Sequence, residues 1–421
     1  MNVKASAQRT FSSLSNPNYR KYFLGQTTSL VGTWMQMTAQ SWLVFTLTHS
    51  ATEIGFVVAL QTLPVLLLGP YGGVVADRVD KRRLMIILQT AMGLQAAVLS
   101  VLALTHVVTY LDVCVLAIVL GLNNAFENPS RQSFVLEMVG PKDLRNAVSL
   151  NSTMNNVARA VGPAVAGVII ATIGEGWCFA LNALSFIAVV GSLMAMDRST
   201  LSPSVPTERA KGQLRDGFRY VAATPKLLFP LIMMGLVGML AYEFQVTLPI
   251  VAGHVFHGSA EVYGILTASM GVGAIIGGLW NAAKGKTGTR AMVRAAILFG
   301  VFITFAALSP KLWVEILALA LVGFASVQFL AMANSTLQLE TDPQMRGRVM
   351  ALWAVAFMGS TPIGGPLIGW ITSLAGARVG LGVGAASCFV AAGIGWFTVR
   401  HFRARDLVVR ESMAAEPLVD T

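Results

Sequence analysis

Charge is what this chain has least of: 12% of its 421 residues are Asp, Glu, Lys or Arg, while 55% are hydrophobic. A soluble domain carries about a quarter charged residues. The shortage excludes a conventional water-facing surface and leaves a polytopic membrane protein. Cysteine is scarce as well. Cys114, Cys178 and Cys388 lie in apolar runs with no CxxC pair and no nearby His, so each reads as a small core residue and not as part of a disulfide or metal framework. There is no G-x-S-x-G, no HExxH, no P-loop and no segment outside the apolar runs large enough to house a catalytic centre. No enzyme activity and no cofactor are expected, and ATP could drive the protein only through a separate ATPase partner. A cleavable signal is not expected either, because residues 1–20 are polar and the first apolar run is longer than a signal's. The net charge of +10 is dealt out in short loops instead of being gathered in a patch, so no nucleic acid is expected as a partner.

What the chain has in quantity is apolar runs of bilayer length. A spanning helix needs about 20 residues, and twelve such segments fit, near 22–47, 54–76, 84–105, 110–130, 147–173, 177–196, 227–252, 261–283, 291–309, 312–335, 348–374 and 379–400. The expected fold class is an all-α polytopic membrane protein with twelve transmembrane helices, partnered by the lipid bilayer. Of the 30 Lys and Arg residues, only Lys311 and Arg378 fall in loops of one side and only Arg159 falls inside a span, leaving 27 on the other. By the positive-inside rule both termini are then cytoplasmic. His49, His106, His254 and His257 fall at external ends, as surface imidazoles or as a pH sensor.

Residues 1–196 form an N-terminal six-helix half and 227–400 a C-terminal one, with a 197–226 cytoplasmic linker between them and a 401–421 tail. The linker opens with Ser202, Pro203 and Pro206. It then sets Leu214, Phe218 and Val221 on one helical face, with Arg209, Lys211, Arg215 and Arg219 elsewhere, the pattern of a basic helix lying on a membrane surface. The halves repeat. Asn128-Pro129-Ser130-Arg131-Gln132 is echoed by Asn334-Ser335-Thr336-Leu337-Gln338, Gly162-Pro163 by Gly365-Pro366, and Arg145 by Arg348.

The densest charge cluster lies between the second and third spans, where Asp77, Arg78, Asp80, Lys81, Arg82 and Arg83 follow Gly73. Hydrocarbon cannot hold such a cluster, so it must be a tight turn in water. The spacing Gly-x-x-x-Asp-Arg-x-x-Lys-Arg resembles the signature loop of the major facilitator superfamily. That resemblance implies two six-helix repeats, a substrate site between them near the midplane, and a gating role for Gly73, Asp77, Arg78, Lys81 and Arg82. It also implies that Asp77 faces the start of the eleventh span near Arg346 to Val349, while Arg78 reaches a carboxylate at the end of the fourth, with Glu137 nearest. Gly162-Pro163-Ala164-Val165-Ala166-Gly167 resembles the Gly-Pro motif of antiporters in the superfamily, with one terminal Gly where the family carries a pair. Gly162, Pro163 and Gly167 also suit a plain kink and a close helix approach. Asp80, together with the run from Asn128 to Gln132, resembles the drug and siderophore exporter branch.

Polar residues inside spans mark the candidate pathway, because each is costly against lipid. In the first span Gln26, Ser29, Thr33, Gln36 and Gln40 fall within an arc of roughly 80° at about 100° per residue, one wet stripe toward the bundle interior. The fourth offers Asn124, Glu127 and Arg131, the last two at i,i+4 and able to bridge. The seventh carries Tyr242, Glu243 and Gln245, the tenth Gln328, and the fifth Arg159. For Arg159 a structural bridge between neighbouring helices is the leading reading, with Glu127 one candidate partner, and contact with an anionic substrate the second. Glu243 has no cation within one turn in sequence and is the candidate proton carrier. Met233, Met234 and Met239 either give the cavity an adaptable lining or fill gaps.

The expected function is export of an amphiphilic, drug-like small molecule across the inner membrane by proton antiport and alternating access, by a monomer. A dedicated siderophore exporter is the alternative. A transport-incompetent sensor of the same fold is disfavoured, because only about 20 residues follow Arg400.

Overall fold

The computed structural model describes residues 12–202, 213–284, 287–342 and 344–415, and they are helical with no strand among them. Pro203, Pro206, Arg209 and Lys211 of the linker, residues 285–286 and the last residues of the tail, 416–421, lie outside the described residues. Among the described residues twelve crossings follow in order. In the first half they are α1 (Pro17–Thr48), α2 (Ala51–Arg78), α3 (Lys81–Leu104), then α4 and α5 as the 110–139 and 141–173 arms of the helix Tyr110–Ile173, and α6 (Glu175–Met194). In the second they are α7 (Pro225–Val255), α8 (Ala260–Lys284), α9 (Thr289–Leu308), α10 (Leu312–Glu340), α11 (Arg346–Ala375) and α12 (Ala377–Ala415).

Local chemistry sets the boundaries. Asn16 caps α1, accepting from Asn18 N at 3.0 Å, and Pro17 follows, where its missing N–H costs nothing. Asp80 caps α3 through Arg83 N at 3.0 Å, so one acid of the charge cluster starts a helix. A Thr109–Asp112 capping box starts α4. Between α4 and α5 the chain turns at Gly140, whose φ of 70° is left-handed and suits Gly alone, with Pro141 after it. The loop expected over 131–146 is therefore helical on both sides of a single glycine. It is pinned by Ser12 Oγ to Asp143 at 2.9 Å and Ser13 N to Asn146 at 3.0 Å.

Two crossings are broken near their middle. In α7 the helix stops at Ala241, resumes at Phe244 and loosens into a wide turn over Val251–Val255 after Pro249. In α11 it stops at Met358 and resumes at Thr361, because the Pro362 ring conflicts with the Met358 carbonyl and donates no bond to it. Both breaks were invisible as breaks in the spans 227–252 and 348–374.

Within the first half α1 packs on α5 and α6, α2 on α4, and α3 on α6; within the second α8 packs on α10, α9 on α12, and α12 on α7. Two seams join the halves. Along α2 and α11 a Cβ on Gly55 would lie 2.2 Å from the Gly365 carbonyl oxygen, and one on Gly369 would lie 2.4 Å from that of Ala51. Along α5 and α8 a Cβ on Gly264 would lie 2.7 Å from Gly167 Cα, and one on Gly271 would lie 2.5 Å from Ala160 Cα. Contact this close needs small residues, because lipid supplies no hydrophobic drive and helices in it associate by backbone approach.

All of the tight approaches run from mid-membrane to the end away from the charge cluster. There Thr52 Oγ1 donates to Ser373 Oγ at 3.0 Å, the Phe45 ring sits 5.2 Å from His254, and Trp42 stacks on Tyr263 at 6.0 Å. Toward the charge-rich end the halves part. The linker helix Gln213–Ala223 sits at that end against α11, with Tyr220 donating to Asp342 at 2.8 Å and Arg348 3.7 Å from Asp216. Its expected apolar face divides: Val221 is buried under α11 while Phe218 points out, 66% exposed, because docking on the protein claims one side of the helix.

Candidate substrate cavity

Where the halves part they enclose a cavity of about 860 Å³, closed by the two seams on one side and facing the charge-rich end on the other. Its walls come from α1, α2, α4 and α5 of one half and α7, α8, α10 and α11 of the other. The lining is aromatic and aliphatic, with Trp34, Tyr242, Phe244, Tyr263, Trp353 and Phe357 supplying rings. Among the polar points are asparagines at 124, 128, 155, 156 and 334. The sequence echo of Asn128 and Asn334 thus becomes two amides on opposite walls.

Of the polar residues expected along the pathway, the cavity takes Asn124, Arg159, Tyr242, Glu243 and Gln245. Gln36 is turned the other way, into the core of the first half. It donates to Gln95 at 3.1 Å and accepts from Asn182 at 2.7 Å, a buried amide chain joining α1, α3 and α6. Gln40 is buried on the same face and lines no part of the cavity. The wet stripe of α1 is real, but it serves the half's own interior; the cavity sees Trp34, Met37 and Thr38 instead. Gln328 donates to the Gly277 carbonyl at 2.7 Å and ties α10 to α8.

Glu127 is 3.0 Å from Arg131 and accepts from Gln89 Nε2 at 3.2 Å. That occupies the carboxylate expected to meet Arg159, so the leading reading of Arg159 is corrected. Arg159 has no carboxylate partner among the described residues. Its guanidinium lies over the Trp34 ring, 5.5 Å from the centroid, a cation–π contact. Trp34 is held in turn by its Nε1–H, which donates to Asn155 at 3.1 Å. A Cβ on Gly162 would lie 2.7 Å from Trp34 Cβ, so the Gly of the Gly-Pro motif is what lets α1 bring that ring against α5. Gly167 meets α8 instead, 3.0 Å from Gly264 Cα by the same measure, and the Pro163 carbonyl faces Gly264 too. The motif therefore packs α5 against both halves.

Glu243 sits at the break of α7 and faces the break of α11. It is 4% exposed, lies beside Thr361 on the cavity wall, and its Oε1 makes no hydrogen bond. A Cβ on Gly364 would lie 3.0 Å from that Oε1, so the small residues of α11 make room for the carboxylate. Behind Glu243, away from the cavity, lies a water-sized void of about 10 Å³ edged by Thr247 and Gly380.

The charge cluster binds the helices of its own half. Gly73 is buried in the last turns of α2. Glu137 pairs with Lys81 at 2.7 Å, which corrects the expectation that Arg78 takes it; Arg78 is exposed. Lys81 starts α3 and so stands nearer the end of α4 than the last residue of α2 does. Arg82 caps α6, donating to the Leu193 carbonyl at 2.6 Å and that of Met194 at 2.8 Å. Met233 and Met234 are buried in the second half's core and Met239 lies outside the cavity. The methionines that do line it are Met37, Met270 and Met358.

Apart from Tyr242, the aromatic lining was missed in the sequence, as were the amides of α5. A signal was present: Ser152, Asn155 and Asn156 precede Arg159 at helical spacing, so one face of an apolar span is polar for two turns.

This arrangement of two six-helix halves around a central cavity is the architecture of major facilitator transporters. The fold aligns with a bacterial homologue of the human lysosomal transporter Spinster at a TM-score of 0.73 and 13% identity, covering 92% of this chain and 98% of that one. It aligns with the nucleoside transporter NupG at 0.71 and 13%, covering 91% and 99%. The chain belongs to the transmembrane secretion effector family, whose model matches residues 8–421. Among its relatives are the Staphyloferrin A transporter of Staphylococcus aureus, 30% identical over 61% of this chain and 65% of that protein, and the multidrug efflux pump Tap of Mycolicibacterium fortuitum, 28% identical over 83% and 88%. The enterobactin exporter EntS of Shigella boydii is 24% identical over 86% of both chains. These relatives and structural neighbours are transporters and not enzymes.

Proposed function

We propose that this protein exports an amphiphilic small molecule across the inner membrane, as a monomer with both termini cytoplasmic, by alternating access coupled to inward proton flow. The carrying observation is Glu243, the one carboxylate on the cavity wall among the described residues, buried at the break of α7 with one oxygen unbonded. A carboxylate so placed exchanges its charge with the cavity, and its neighbours are two broken helices able to change packing as it does. A mostly apolar cavity with a few polar points binds many shapes weakly, which suits an amphiphile. The positive-inside distribution supports the orientation, and with it a cavity that loads from the cytoplasm. The domain division at 197–226 supports two halves that rock about the seams.

The test is dye or macrolide accumulation in a pump-deficient host. Expression lowers accumulation, a protonophore abolishes the effect, and Glu243→Gln, which fixes the neutral form, reproduces the protonophore. Energised efflux persisting in Glu243→Gln removes the coupling assignment. The second reading is a dedicated siderophore exporter, favoured by two relatives, the Staphyloferrin A transporter and the enterobactin exporter EntS. Loss of siderophore secretion on deletion, with no response across a dye panel, selects it.

A further inference from the structure

The structure assigns Arg159 to a ligand and not to the fold: we propose that the cavity selects anionic amphiphiles, seating a carboxylate or phosphate on this guanidinium and the apolar body against the surrounding rings. The inference rests on the reading of the chain as an exporter and names the class of molecule exported.

An arginine keeps its proton under all physiological conditions. Within a bilayer its charge has to be met by an anion, by carbonyl oxygens or by water. The described residues supply none of the first two here. Among the described residues Arg159 makes no ion pair and donates no hydrogen bond. Glu127 is taken by Arg131 and Gln89, and Glu243, the carboxylate on the cavity wall, makes no ion pair with Arg159. Arg159 is also the only Lys or Arg on the cavity wall among the described residues.

What the protein does supply is an orienting platform. Trp34 lies against the guanidinium, which stabilises the cation without neutralising it and leaves its in-plane N–H donors free. Asn155 fixes the ring and Gly162 admits it. A guanidinium backed on one side and open at its edge is the geometry that takes a planar or tetrahedral oxyanion through two parallel bonds. Tyr242, across the cavity, is held by Ser326 at 2.7 Å with its ring 5.3 Å from Phe357, and presents an apolar surface for the rest of the ligand. An arginine kept only to join helices would show protein acceptors around it.

Binding to the full chain in lipid nanodiscs tests this with four probes by calorimetry: 2-naphthoate and its methyl ester, and 2-naphthyl phosphate and 2-naphthol. The native protein is expected to bind at least one anion about tenfold or more tightly than its neutral partner. The carboxylate and phosphate arms show which head group fits. Arg159→Gln is expected to bring that anion down to its neutral partner while leaving the neutral probe unchanged, and Arg159→Lys to retain part of the preference. Equal binding of both pairs by the native protein overturns the proposal, as does failure of all four probes to bind. So does Arg159→Gln weakening anion and neutral probe alike. If Arg159→Gln does not fold, the native anion-to-neutral ratio decides alone. Efflux of the same probes from vesicles separates the two readings: anion preference without efflux removes the exporter and keeps the site, whereas efflux with no preference removes the site and keeps the exporter.

Discussion

The backbones of Gly55 in α2 and Gly365 in α11 touch so closely that a methyl group on Gly55 would stand 2.2 Å from the Gly365 carbonyl oxygen. This contact seals one end of the protein. Because the obstruction is backbone, nothing nearby can rotate away. Gly55→Ala is therefore expected to destabilise this closed seam by about 1–3 kcal/mol, as overpacking does, and to populate opening at that end. Spin labels at Thr105 and Ser259, both exposed and one in each half, are expected to gain a longer distance component. An unchanged distance distribution would contradict a seam-controlled equilibrium.

Arg82 carries a structural prediction. It is 7% exposed and supplies donors to the Leu193 and Met194 carbonyls in the last turn of α6. Arg82→Met is expected to cost about 1.5–3 kcal/mol, the usual worth of bonds to a charged donor. Thermal unfolding in detergent should show Arg82→Lys between the native protein and Arg82→Met, because an ammonium reaches one carbonyl where the fork reaches two.

Gln36 separates a core role from a pathway role. Gln36→Leu breaks the amide chain to Gln95 and Asn182 and is expected to lower stability by about 1–3 kcal/mol, since their partners stay buried. Substrate preference should be unaltered in the variant that folds. A changed substrate range with unchanged stability would return Gln36 to the pathway.

The gate prediction concerns Asp77, at the charge-rich end of α2. If that end closes by bringing Asp77 to the start of α11 near Arg346 to Val349, the positive helix end holds the carboxylate by about 0.3–1 kcal/mol. Asp77→Asn is then expected to shift the population further toward the state open at that end and to cut transport with expression intact. Unchanged cysteine accessibility in the cavity of that variant removes the latch.

Orientation is checked by labelling. All three native cysteines are buried, so background reaction is low. A cysteine at Ser259 should react with an impermeant maleimide from outside, and one at Arg290 should not; both native side chains are exposed. The reverse pattern would overturn the topology drawn from the loop charges.

The sequence by itself determined the elements whose cause is local. A run of 20 apolar residues forms a crossing whatever it packs against. The repeat in the sequence announced two similar halves, and the cost of an ionised group in hydrocarbon singled out Arg159 and Glu243, both of which line the cavity. Only the tertiary structure decided direction and partnership. The period of α1 shows that Gln36 and Gln40 share a face, but a six-helix half has an interior of its own, and the face turned there while Trp34 took the cavity. The resemblance pointed Arg78 to Glu137, and the sequence offered Glu127 to both Arg131 and Arg159; the packed helices give Glu137 to Lys81 and leave Glu127 with Arg131 and Gln89. The breaks of α7 and α11 meet where Glu243 faces Thr361, 118 residues further along the chain, and no local pattern could announce that meeting. Pairing in a helical bundle depends on the rotation and tilt of whole helices, which glycine contacts such as Gly55 with Gly365 set only when both halves are assembled.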